Sequence, residues 1–153
     1  MRPTVATAEE SYCDSSALRA PYLHDPRTRA MVAWRAMLRG AIPITKFVSA
    51  ELTNAIALAE FRGDIDAPQH GMALAHFRAD FANGRLAVAD LLWRRALDRT
   101  AELSRTHTAK LGTRALDVLH VASALELGAR TLVTYDARQA SLARAVGLKA
   151  LAP

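Results

Sequence analysis

Near its C-terminus the chain runs from a helix-length segment through a glycine into a short apolar strand closed by an acid: TRALDVLHVASALELGA, then TLVTY, then Asp136. Leu116, Leu119, Ala122, Ser123 and Leu127 recur at helical spacing and are expected to face a core, and Gly128 is a natural helix stop. Thr131 to Tyr135 is apolar enough to be buried on both faces, as strands of helix-covered parallel sheets are. This junction points to an α/β chain and against a purely helical one.

The remainder reads the same way. Tyr12-Cys13 is a short first strand ending at Asp14, with Ser15 and Ser16 offering cap chemistry for a helix. Asp25-Pro26 resembles a helix start, and Met31, Trp34 and Leu38 keep helical spacing up to Gly40. Ile42 to Thr45 is a second strand. Ser49 is expected to cap the next helix, which puts Glu51 in its first turn, and Pro68 opens another that ends near Asn83-Gly84. Arg85 to Ala89 is a third strand, with Asp90 as the expected cap of an amphipathic helix carrying Leu92, Trp93, Ala96, Leu97 and Leu103. A helix from Ala137 to Val146 and an edge strand from Leu148 to Leu151 complete the pattern. The expected architecture is a three-layer α/β fold with a parallel sheet of about five strands flanked by helices.

At 153 residues the length suits one domain, read as residues 11–153 after an N-terminal tail of residues 1–10 that is expected either to be disordered or to precede the true start. No apolar run approaches the ~20 residues needed to span a bilayer, and the first ten residues lack a secretory core, so a cytoplasmic protein is expected. The single cysteine, Cys13, is read as a buried small side chain. The net charge is +5 and 17 of the 20 basic residues are arginine. Guanidinium groups suit a polyanionic partner such as RNA, but the same bias arises in alanine- and arginine-rich chains from base composition alone.

Four acids carry the chemistry. Asp14 and Asp136 each follow a strand, so a parallel sheet places both at the edge where its strands end. Glu51 lies near the start of the helix after strand two, and Asp117 near the start of the helix leading into TLVTY. Each has a plainer reading as a helix-start acid, most readily Glu51. Asp117, between Leu116 and Val118, is costly to bury unless paired, and Arg114 on the same helix face is either its partner or a phosphate contact. Asp90 is read as a simple cap. The five histidines make no metal set; His120, three residues beyond Asp117, is read as a core or helix-face residue.

The strings SYCDSSAL, VSAELTNA and RALDVLHVASALELGARTLVTYDARQASLARAVGL resemble the PIN-domain family, specifically VapC-type toxin ribonucleases. The resemblance extends in order from about Ser11 to Pro153; the residues before strand one and Ala20-Pro21 depart from the family pattern. It implies that Asp14, Glu51, Asp117 and Asp136 form a metal-binding catalytic quartet, that Ser16 and Thr134 are supporting hydroxyls, and that Arg114 is a candidate contact to the substrate phosphate. It further implies Mg2+, with Mn2+ able to substitute, an RNA substrate, a VapB-like antitoxin and a homodimer, with no membrane partner. Four clustered carboxylates repel one another, and a hard cation with oxygen preference relieves that repulsion. Two alternatives stay open: a PIN-like RNA-binding scaffold that does not cleave, and a phosphorelay receiver, for which Lys149 would have to serve as the pocket lysine.

Overall fold

A computed structural model describes residues 7–153. Residues 1–6 of the expected tail lie outside the described residues. Ala8–Glu10 form a 3-10 turn in which Ala8 is buried and its amide donates to the Arg39 carbonyl at 2.8 Å.

Five three-residue strands, β1 (Ser11–Cys13), β2 (Ile42–Ile44), β3 (Leu86–Val88), β4 (Thr131–Val133) and β5 (Lys149–Leu151), all pair in parallel. Instead of one continuous ladder they form two, β1-β4-β5 and β2-β3, and β1 lies beside β2 where the two meet. Pro43 supplies the reason. The Ile42 amide donates to Arg85 and the Ile44 carbonyl accepts from Ala89, so both flanking residues turn toward β3. Pro43 is left facing β1 without an N–H to donate.

The helices are α1 (Ser15–Leu18), α2 (Thr28–Ala36), α3 (Lys46–Phe61), α4 (Ala67–Ala82), α5 (Trp93–Leu103), α6 (Ala109–Leu111), α7 (Ala115–Glu126) and α8 (Ala137–Ala145), with a π-helical turn at Ser104–Thr108. Several starts differ from the sequence expectation. Thr45, not Ser49, caps α3 by accepting from the Val48 amide at 3.2 Å, so the helix begins a turn earlier and Glu51 falls in its second turn. Asp25 accepts from the Arg27 amide at 2.8 Å and makes a turn ahead of α2 rather than its cap. Asp90 caps nothing: α5 starts at Trp93, and of its expected apolar face Ala96 and Leu103 are buried whereas Leu92 and Leu97 stay exposed.

The core is built from Tyr12, Ile42, Ile44 and Leu132 on the strands and from Leu52, Ile56, Val121 and Leu142 on the helices. α7 is buried without interruption from Asp117 to Ala124, but Leu116, expected in the core, is exposed where the helix emerges. Gly112, with φ +64, and Gly128, with φ +71, adopt the left-handed conformation that ends one helix and releases the chain into the next segment. Among the described residues no helix is long and apolar enough to cross a membrane. Because every strand runs the same way, their C-terminal ends share one edge, and the acids gather there.

Candidate active site

Asp14 follows β1 directly, and the pairing of Cys13 with Val133 sets it level with Thr134. Its carboxylate accepts from Ser16 Oγ at 2.7 and 2.9 Å, from Thr134 Oγ1 at 2.8 Å and from the Ala17 amide at 3.0 Å. The last contact caps α1, so Asp14 itself, rather than Ser15 or Ser16, starts that helix. Burial pushes the Asp14 carboxyl above its ordinary range, against the opposing pull of His120, Ser16, the Ala17 amide and Thr134.

Asp136, three residues beyond β4, caps α8 by accepting from the amides of Arg138 at 2.8 Å and Gln139 at 3.0 Å. Its own amide donates to Thr134 Oγ1 at 3.0 Å, so one hydroxyl ties the two strand-end acids together. Asp117 sits in the first turn of α7 and accepts from the Arg114 amide at 2.8 Å, from Arg114 Nε at 3.1 Å and from Arg114 Nη2 at 3.2 Å. Burial works against its charge, but the hydrogen bonds and charge of Arg114 prevail and hold this carboxyl below the usual range. Arg114 Nη2 also reaches Asp136 Oδ2 at 3.4 Å, so one guanidinium bridges two acids.

Glu51 comes from α3 on the opposite wall. Its Oε2 is 2.7 Å from His120 Nε2, yet the ring N–H is poorly aligned with it, and this buried oxygen accepts no aligned hydrogen bond. All four acids, with Ser16, Arg114, Leu116 and Gln139, line a single cavity of about 460 Å³. Thr134 lies buried behind Asp14. The structure therefore places Asp14, Glu51, Asp117, Asp136, Ser16 and Arg114 around this cavity, with Thr134 behind Asp14. Two neighbours were missed. Gln139 was hidden in a helical repeat, although a polar residue three after a capping acid is a usable signal. His120 was set aside as a core residue; it is buried, but it also touches Glu51.

The acids surround the cavity without closing on one point. Among the described residues no three His, Cys, Asp or Glu side chains stand close enough to form a ready metal site, and Arg114 holds two of the four carboxylates. The donor set nevertheless suits a hard divalent cation: it is all oxygen, it is anionic, and it includes a buried Glu51 oxygen with no aligned donor.

A parallel α/β fold with carboxylates gathered at the strand ends defines a class of acidic-pocket proteins. Within that class, the family model described as PIN domain matches residues 11–145, and the chain belongs to the PIN domain family, whose members are typically nucleases. No curated protein matches the sequence. Among solved structures, FitAcB from Neisseria gonorrhoeae superposes with a TM-score of 0.65 at 20% identity, covering 94% of this chain and 97% of that one. At that identity the likeness concerns the fold. The receiver alternative loses its chemistry here, since Lys149 begins β5, at the edge of the sheet away from the strand-end acids.

Proposed function

We propose that the chain is a Mg2+- or Mn2+-dependent endoribonuclease that hydrolyses RNA phosphodiester bonds as the toxin of a VapBC-like toxin–antitoxin pair. The observation that carries this reading is the lining of one cavity by Asp14, Glu51, Asp117 and Asp136. Those four residues would hold the cation, which when bound supplies a more acidic water and charge neutralisation at the phosphoryl oxygens. Ser16 and Thr134 fix the Asp14 carboxylate so that its oxygens are set before a cation or substrate arrives. Arg114 neutralises Asp117 and Asp136 through Nε and Nη2, which leaves Nη1 outside these ion pairs for a substrate phosphate.

An RNA substrate is supported by the basic groups beside the acids: Arg27, stacked 4.3 Å from the Tyr135 ring centroid, and the exposed Arg138. Exposed Leu92, Leu97 and Leu116, on or beside the packed helices α5 and α7, support a homodimer, and the resemblance of the sequence to VapC-type toxins supports a VapB-like antitoxin as partner in the cytoplasm.

One observation favours a second reading, an RNA-binding scaffold that does not cleave: the guanidinium already occupying two acids. A cleavage assay on structured and unstructured RNA with Mg2+ separates the two. The nuclease reading expects cleavage by the wild type, its loss in EDTA, and a fall on the order of 100-fold or more in Asp14→Asn. RNA binding without Mg2+-dependent cleavage by the wild type would give the scaffold reading the field.

A further inference from the structure

Three of the four acids have dedicated holders: hydroxyls and an amide for Asp14, Arg114 for Asp117, helix amides for Asp136. The buried oxygen of Glu51 has no such hydrogen bond; it lies 2.7 Å from the Nε2 of His120. We propose that His120, with its ring fixed by Tyr12, is a positioning residue that holds the Glu51 carboxylate in the acid cavity for metal binding. The proposal rests on the metal-nuclease reading of that cavity.

The supporting geometry comes from three elements. Tyr12 of β1 places its hydroxyl 3.0 Å from His120 Nδ1, and the pair is buried. That contact occupies Nδ1 and leaves Nε2 as the ring nitrogen that faces Glu51. The ring is also wedged between aromatic groups, Tyr12 edge-on at 5.9 Å and Phe47 tilted at 5.1 Å between centroids. Phe47 precedes Glu51 by four residues on α3, so one face of that helix presents both the wedge and the acid to the same imidazole. A glutamate has three side-chain torsions, and confining them near the cavity costs entropy that a fixed neighbour offsets. Partners of this kind behind a ligating carboxylate typically change metal affinity by about 10- to 100-fold.

The test is Mn2+ titration, followed by the electron paramagnetic resonance signal of the free ion, on the wild type, His120→Leu, His120→Gln, Tyr12→Phe, Glu51→Gln and the double variant Glu51→Gln/His120→Leu. Thermal melts in EDTA check that each folds. His120→Leu should weaken Mn2+ by about tenfold, and His120→Gln, which keeps an N–H donor, should recover most of that loss. Tyr12→Phe should fall between the wild type and His120→Leu. In the Glu51→Gln background, His120→Leu should add nothing, because the effect passes through Glu51. Wild-type affinity in His120→Leu, losses that multiply in the double variant, or no Mn2+ binding by the wild type would each overturn the proposal. RNA cleavage measured on the same samples keeps the two readings apart. Coupled Mn2+ losses in a protein that cleaves no RNA sink the nuclease and leave the role of His120, whereas cleavage with Mn2+ binding indifferent to His120 does the reverse.

Discussion

Asp14 and Asp117 line the same cavity and are buried to a similar degree, yet they are held by opposite means. Asp14 sits where two strands end, among neutral donors: two hydroxyls and an amide. Those contacts orient the carboxylate but leave burial in command, and its proton affinity rises. Asp117 sits at the opening of α7, where an exposed arginine three residues back covers it, and its proton affinity falls. Asp14 is oriented without an arginine partner, while Asp117 and Asp136 share the one guanidinium of Arg114.

The sharpest way to break this comparison is unfolding as a function of pH in EDTA. The folded Asp14 carboxyl titrates above the unfolded one, so its contribution is fully present below the unfolded value of 3.8 and is lost as pH rises through the folded value. The folded Asp117 carboxyl titrates below the unfolded one, so its contribution is present above 3.8 and is lost as pH falls through the folded value. Asp14→Asn, which can still cap α1, should therefore raise the denaturant midpoint at pH 7, and Asp117→Asn should lower it, with a loss of about 1 kcal/mol in unfolding free energy, the size of a lost helix-start contact. Midpoints that move the same way in both variants would show that the two acids are not held differently.

A smaller effect sharpens the Asp14 side. Thr134→Val removes a donor to a buried carboxylate and the acceptor of the Asp136 amide, and should cost about 2 kcal/mol in urea unfolding. A change within error would mean that Ser16 suffices. Arg114→Ala should also destabilise: the arginine lies in solvent, but the buried Asp117 carboxylate it covers would be left with the backbone amide of residue 114, a loss to Asp117 of about 1 kcal/mol. The variant's informative readout is RNA cleavage: activity equal to the wild type would remove Arg114 from phosphate contact and reduce it to a partner of Asp117.

Much of this arrangement was readable before any coordinates. The strand cores at Ile42–Ile44, Leu86–Val88 and Thr131–Val133 fall inside the expected runs, since apolar stretches bounded by turn residues have few other ways to be buried. Helix starts were read less well. Ser49 and Thr45 are chemically alike as caps, and the choice went to Thr45 because β2 ends there and frees the Val48 amide beside its hydroxyl. Leu116 carries helical spacing toward the core but lies where α7 leaves it, a boundary that periodicity does not register. Pro43 was read simply as part of a strand, although its missing N–H is what parts the sheet into two ladders.

The sequence by itself settled the α/β class, the parallel order and the placement of Asp14 and Asp136 at a common edge, because hydrophobic period and strand direction are local properties that add up along the chain. Only the tertiary structure decided which neighbour each acid keeps. That Arg114 spans Asp117 and Asp136, and that Tyr12 and His120 stand behind Glu51, depends on side chains from separate elements meeting within about 3 Å. Contacts of that range follow from packing angles and rotamers, which no spacing along the chain encodes.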